Sequence, residues 1–339
     1  MRILAMLMAC FVSSATTGWS QSARPEMAAA IDKQWGSLPA EISGPYRYAY
    51  SADGYNQDRD DVAGSAMAVA IFDRAGKADR IAHFHFNTNF GGAPSHAQEH
   101  RKSALQTAVL FGIIEEENGN DAFFDVARSP QERLDAIDHF AGEIKKTKAS
   151  DPLMVVCAGG VQTVYLAVEE AIAQGATEEA LRSTTFFSHS DANEKTKRDD
   201  HEDYRNNWQN LKTLAPASRF IDYRSPLVNA RRTGGVQPSQ NSSAWNQGPR
   251  GGKGQGVKDW QWLADYGDAV QGFGFSGTKG EWLLTRLKAA GAPELGHNAN
   301  AEGDASDAAM VYVLMGGQTD ATMDEIKTFF CGPEPSADE

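Results

Sequence analysis

Leu153-Met154-Val155-Val156-Cys157-Ala158-Gly159-Gly160-Val161-Gln162-Thr163 is the stretch that decides the fold class. Leu153 to Cys157 is an unbroken apolar run of the length and type expected of a strand buried on both faces. Gly159-Gly160 marks a turn, and Val161 to Ala173 is apolar enough to be a packed helix. The same alternation recurs on either side. Tyr46 to Ser51 reads as the first strand, and Ile81 to Phe86, Thr184 to Ser188 and Arg219 to Tyr223 read as others. Leu134, Ile137, Phe140 and Ile144 recur at helical spacing. Ala66 to Phe72 is ambiguous by period, but Asp60-Asp61 in front and Gly76-Lys77 behind favour a helix. Strands alternating with helices predict an α/β fold, a mostly parallel sheet with helices on both faces. Ligands of such sheets bind beyond the carboxyl ends of the strands.

The first strand runs into Asp53-Gly54-Tyr55-Asn56-Gln57-Asp58-Arg59-Asp60-Asp61, four carboxylates in nine residues. Ionised carboxylates held in one tight loop repel each other unless a cation or water screens them. Oxygen donors are hard ligands, so the ion that fits is Ca²⁺ or Mg²⁺ rather than Zn²⁺. The alternative is a solvated acidic turn that caps the following helix.

Residues 1–20 read as an export signal: Arg2, the apolar run Ile3 to Val12, then small polar residues before a cleavage point after Ser20 or Ala23. That run is too short to span a bilayer. A lipobox at Leu7-Met8-Ala9-Cys10 is an alternative reading. The expectation is an exported protein, periplasmic or extracellular, with one domain over 21–331 and a frayed tail over 332–339. The formal charge of −13 becomes −14 without Arg2. Such a surface repels nucleic-acid phosphates and anionic membranes, so the fitting partner is a small neutral or cationic molecule. The basic cluster of Arg231, Arg232 and Lys253 is isolated and does not change that. Of the cysteines past the signal, Cys157 lies in an apolar run and reads as a small buried hydrophobe, and a pair with Cys331 makes no disulfide framework.

Three separated motifs together resemble the inosine–uridine nucleoside hydrolase superfamily. They are the acidic loop, the Cys157-Ala158-Gly159-Gly160-Val161-Gln162-Thr163 turn, and Ser306-Asp307-Ala308-Ala309-Met310, an aspartate opening an apolar run near the C-terminus. The resemblance extends weakly from about Tyr46 to Phe330, and the order and spacing of the motifs carry it. It implies a nucleoside-hydrolase-like fold and hydrolysis of an N- or O-glycosidic bond. A Ca²⁺-bound water would be activated there by an aspartate. By resemblance Asp53 is the base. Asp53, Asp60, Asp61 and Asp307 surround the ion, of the Asp60-Asp61 pair the second binds it, and Ala158 contributes a backbone carbonyl. The partner implied is a small-molecule glycoside or glycan. The chain departs from the family's pattern at two places. The loop is three residues longer between Asp53 and the Asp-Asp pair, and Ser306 stands where the family often has a histidine that helps a purine leave. A secreted member acting on another glycoside, or a non-catalytic carbohydrate-binding protein on the same fold, is therefore the alternative. A homo-oligomer stays open.

Further candidates follow from position. Asn87 and Asn89 follow the second strand, where the resemblance implies an asparagine that contacts the sugar. Asn207 and Trp208 lie near another such position, and His189, after a strand end, is the candidate to protonate a leaving group. Asn229 to Lys258 is rich in Gly, Asn, Gln, Ser and Pro and reads as a flexible loop or lid. Trp260 and Trp262 beside it serve either as an aromatic platform for a ring or as anchors to the core. His83-x-His85 admits a zinc hydrolase, but without a third nitrogen or sulfur ligand the pair reads as structural. His96-x₃-His100 lacks the glutamate of a zincin and reads as a surface pair. The chain shows neither a Gly-x-Ser-x-Gly elbow nor a phosphate loop.

Overall fold

The computed structural model describes residues 45–54, 60–88, 94–115, 122–188, 205–222, 244–245, 257–292, 303–317 and 321–332. The signal segment, Asn56, Asp58, Asn89, His189, nearly all of the 229–258 insertion and the tail after 332 lie outside these residues.

Six parallel strands form one sheet in the order β3-β2-β1-β4-β5-β6. They are β1 (Arg47–Ser51), β2 (Ile81–Phe86), β3 (Phe123–Asp125), β4 (Leu153–Cys157), β5 (Thr184–Ser188) and β6 (Arg219–Asp222). Strand β1 pairs with β2 on one side and with β4 on the other. The chain builds outward from β1 to β3, then returns to β4 and builds the opposite way. The order therefore reverses between β1 and β4, and in open α/β sheets the crevice at that reversal is the natural ligand site.

Side chains of β1 divide between two cores. Tyr48 and Tyr50 belong to a core on one face with α1 (Asp60–Arg74) and α8 (Ala309–Leu314). Ala49 belongs to a core on the other face with α3 (Pro130–Lys146) and α4 (Gln162–Ala173). Helices thus cover both faces, as the strand–helix alternation predicts. Every residue of α1 from Asp61 to Phe72 is buried, which explains why its sequence shows no helical period: a helix covered all round has no polar stripe.

Other helices are set by local signals. Ser129 caps α3, its Oγ accepting from Glu132 N–H at 3.1 Å, and Pro130 opens the first turn. The stripe that α3 buries is Ala136, Phe140, Ala141 and Ile144, whereas Leu134, expected on it, is 58% exposed. Between them lie α2 (Pro94–Arg101), which continues through a π turn at Lys102–Gln106, then α5 (Glu178–Arg182) and α6 (Trp208–Leu214). A separate antiparallel hairpin, β7 (Ala269–Gly272) and β8 (Phe275–Thr278), precedes α7 (Lys279–Ala289), and α9 (Met323–Cys331) closes the described chain. Cys157 is buried and Cys331 exposed, and neither is in a disulfide among the described residues. No helix of the described residues is long and apolar enough to cross a membrane.

Candidate metal centre

The site begins where β1 ends. Ladder pairing continues one residue beyond the strands: Ala52 N–H donates to His85 O and Ala158 N–H to Ser51 O, both at 2.9 Å. The backbone therefore delivers Asp53 to the crevice between β1 and β4. Gly54 N–H donates to Asp53 Oδ1 at 2.8 Å, which fixes the plane of that carboxylate. Asp61 sits in the first turn of α1, where the helix dipole favours an anion, and is 1% exposed. Asp307 lies in a 3₁₀ turn, Ser306–Ala308, that leads into α8.

Asp53, Asp61 and Asp307 converge there, with one carboxylate oxygen from each lying within 4.8 Å of the others. Glycines permit the approach. A Cβ on Gly159, in the turn after β4, would stand 2.5 Å from Asp53 Cα and 2.7 Å from its Oδ1. A Cβ on Gly64 of α1 would stand 2.9 Å from Asp307 Cβ. Ala158 immediately precedes the glycine on which Asp53 rests. The donors are all oxygens, two from the loop after β1 and the first turn of α1 and one from the turn before α8, and this set suits a hard divalent cation.

No family model, curated protein or solved structure matches this chain. Its site is therefore read from its own geometry.

Beneath the carboxylates lies Tyr50, fully buried, whose hydroxyl has no hydrogen-bond partner among the described residues. Burial pushes its phenol well above the ordinary range, and the fields of Asp307, Asp53, Asp61 and Asp60 push it further, so it stays protonated. A protonated hydroxyl facing anions is a donor for whatever sits among them. Tyr50 was illegible as a site residue because its apolar ring packs at a tilt against Phe84 like any core aromatic, with centroids 4.8 Å apart.

Asp60, expected beside Asp61 at the ion, is outside the converging group. Its Oδ2 accepts from Ser306 Oγ at 2.6 Å, tying the start of α1 to the turn that carries Asp307. Burial raises its carboxyl above the usual range, although that hydrogen bond opposes the shift. Ser306, noted in the sequence only as a missing histidine, is thus the residue that joins the two acidic segments.

The histidine pair on α2 is not on the surface. His96 and His100 are 1% and 0% exposed, which corrects the sequence reading. His96 Nε2 stands 3.5 Å from Asp61 Oδ2. His100 bridges Ser65 Oγ, through Nε2, and Asn87 Oδ1, through Nδ1 at 2.8 Å. An amide oxygen only accepts, so Nδ1 carries the proton and Nε2 accepts from the serine. Burial holds this imidazole well below its ordinary pKa, hence neutral. Asn87, expected to contact sugar, is buried at a left-handed φ of 57°. Its amide donates to Asp125 Oδ1 at 2.8 Å and to Ala97 O at 3.2 Å, so its polar atoms are engaged within the protein.

His83 and His85 are fully buried and bonded in a row, His139 Nδ1···His83 Nδ1 at 3.1 Å and His83 Nε2···His85 Nδ1 at 2.9 Å. Burial lowers His83 well below its usual pKa and takes His85 down to about 3. They fit the structural reading, and no described metal-competent group includes them.

The remaining expected contacts serve the fold. Asn207 caps α6 reciprocally with Asn210, at 3.0 and 3.1 Å. Trp208 is 1% exposed and packs edge-on against Phe220. Trp260 is fully buried; its indole N–H donates to Gly303 O at 3.1 Å and its ring packs on Trp245 and Trp262. Trp245 O in turn accepts from Ala305 N–H at 3.1 Å. Trp260 and Trp245 thus tie into the turn bearing Asp307.

Proposed function

We propose that this chain is an exported, cation-dependent hydrolase of a glycosidic bond, nucleoside-hydrolase-like in fold and site. The observation that carries the reading is the convergence of Asp53, Asp61 and Asp307 at the strand-order reversal. The resemblance implies base and ligand roles for these three carboxylates. Asp61 and Asp307, with the Ala158 carbonyl beside Gly159, would hold Ca²⁺ or Mg²⁺. A bound cation would supply Lewis-acid stabilisation of charge at the reacting centre.

The residues of the chain do the rest. Asp53, its plane fixed by Gly54 N–H, accepts a proton from the water that attacks the anomeric carbon. Tyr50 presents a permanent O–H donor under the same carboxylates. His189, outside the described residues, is the candidate acid for the leaving group. The reading favours a small neutral glycoside over a polyanion, because four acidic side chains face or border the crevice. The alternative of a pure carbohydrate binder loses support with the burial of Trp260, one of the two tryptophans expected as its aromatic platform.

The test is a product screen over nucleosides and over furanosyl and pyranosyl glycosides, with and without chelator. Free sugar or free base released only in the absence of chelator is the expected result. Binding of glycans without turnover of any of them would overturn the hydrolase in favour of the binder.

A further inference from the structure

Gly54 lies directly against the backbone of Asn87. A Cβ at Gly54 would stand 2.6 Å from Asn87 Cα, 2.8 Å from its N and 2.7 Å from Thr88 N. The segment that leaves β1 with Asp53 is therefore seated on the segment that leaves β2. At the seat the Asn87 backbone is left-handed, with φ 57°, a conformation that asparagine adopts far more readily than most residues with a side chain. The side chain is held from β3 and from α2. Its amide donates to Asp125 Oδ1 at 2.8 Å and to Ala97 O at 3.2 Å, and its Oδ1 accepts from His100 Nδ1 at 2.8 Å. Asn87 is buried, so water does not compete for these bonds.

We infer, on the reading that Asp53 is the base, that Asn87 is a positioning residue for it and acts through Gly54. The Asp53 carboxylate is aimed by Gly54 N–H at 2.8 Å. That N–H points where the Gly54 peptide places it, and the peptide rests on Asn87 with room for no more than a hydrogen at Cα. On the other flank a Cβ at Gly159 would stand 2.5 Å from Asp53 Cα. Asp53 is thus held between the turn after β4 and, by way of Gly54, the turn after β2. A base must meet its proton at hydrogen-bond geometry, so a small rotation of this carboxylate slows turnover without loosening the substrate. Asn87 was expected to contact the sugar. Its bonds to Asp125, Ala97 and His100 instead lock the seat on which the base depends.

The test compares the full-length wild type with Asn87→Gly and Gly54→Ala. Glycine takes up a positive φ freely, so Asn87→Gly keeps the backbone path but releases the seat from Asp125, Ala97 and His100. Gly54→Ala drives the two segments apart. Expected in both is a kcat lower by ~10-fold or more, towards the ~10²-fold of a 1 Å misplacement, with KM within a few-fold. The rise in Tm with a divalent cation should be largely kept, because Asp61 and Asp307 lie on other elements. Crystal structures of the variants should show the Asp53 carboxylate turned relative to Asp61 and Asp307. Should one variant fail to fold, the other decides. An Asp53 carboxylate in its wild-type place overturns this role, and so does a kcat within a few-fold of wild type. A fall in kcat matched by an equal loss of the cation response overturns it as well, since that marks general damage to the site. A wild type that cleaves no glycoside overturns the hydrolase reading alone, and the place of Asp53 in the variant structures still decides the role of Asn87.

Discussion

Asp307 rests on Gly64: the two residues pack so closely that a side chain at Gly64 would meet Asp307 Cβ at 2.9 Å. The contact brings a carboxylate from the end of the chain onto the first helix. Gly64→Ala sets two effects against each other. Alanine gains up to ~1 kcal/mol in helix propensity over glycine, and overpacking costs ~1–3 kcal/mol. The expected outcome is a folded protein, slightly destabilised, with Asp307 displaced. Circular dichroism should show an unchanged helical signal, while the rise in Tm expected of the wild type with a divalent cation should be lost. A Gly64→Ala protein with the full cation response would show that Asp307 does not depend on this contact.

In the wild type itself, a saturating divalent cation should raise Tm. An ion at 100 times its Kd adds ~2.7 kcal/mol when it binds only the folded state. Asp61→Asn or Asp307→Asn should remove most of that shift. In chelator the same variants should be as stable as the wild type or more so, because each removes one of three converging like charges. Thermal denaturation with and without Ca²⁺, Mg²⁺ and Mn²⁺ measures both halves. An undiminished shift in both variants would return the acidic loop to the role of a solvated cap.

Strands β2, β4 and β5 begin and end at the predicted residues, and of these β4 is the one that burial on both sheet faces leaves as an uninterrupted apolar run. Strand β3 is only three residues long, too short for any period, and β7–β8 alternates between exposed and half-buried positions with little apolar content. At the site, Asp53, Asp61 and Asp307 lie together, whereas Asp60 turns to Ser306. Successive residues on a helix point ~100° apart, so of the Asp60-Asp61 pair only one faces the cluster and the other meets Ser306. The burial of His96 and His100 was illegible for a different reason. A polar side chain is buried only when distant partners satisfy it, and Asp61, Ser65 and Asn87 are brought to α2 by the fold.

The buried imidazoles predict how stability depends on acidity. His85 has its pKa taken from 6.5 to about 3, mainly by burial. Its unfolded form therefore binds a proton that the folded form refuses between those values. The stability it protects is fully present above pH 6.5 and is lost progressively as pH falls toward 3. Asp60 and Asp125, whose carboxyls burial raises, act oppositely above about pH 4, favouring the fold as pH falls. His83 and His100 are lowered as well, so three buried imidazoles act in the sense of His85 below pH 6.5 against two raised carboxyls. Urea titrations across that window should show stability rising with pH. The slope should fall by about one proton, ~1.4 kcal/mol per pH unit, in His85→Gln. An unaltered slope in that variant would mean that His85 titrates normally in the folded protein.

Asp53 carries the strictest demand on the proposed chemistry. Its carboxylate is the one held by the backbone at the end of β1, through Gly54 N–H at 2.8 Å, while Asp61 and Asp307 come from helical segments behind it. Asparagine in its place keeps the size and one oxygen donor but cannot accept a proton. Gly159, packed against Asp53, leaves room for no larger rearrangement. Asp53→Asn should therefore fold and retain much of its substrate affinity. Its turnover should fall by at least ~10²-fold, the lower end for loss of a general base. A purely architectural Asp53, stabilising its turn as Asp-Gly pairs commonly do, would instead lower Tm and leave turnover of the remaining folded protein within a few-fold of wild type. Steady-state kinetics on any glycoside the wild type cleaves, taken at a temperature where both proteins are folded, separates the two outcomes.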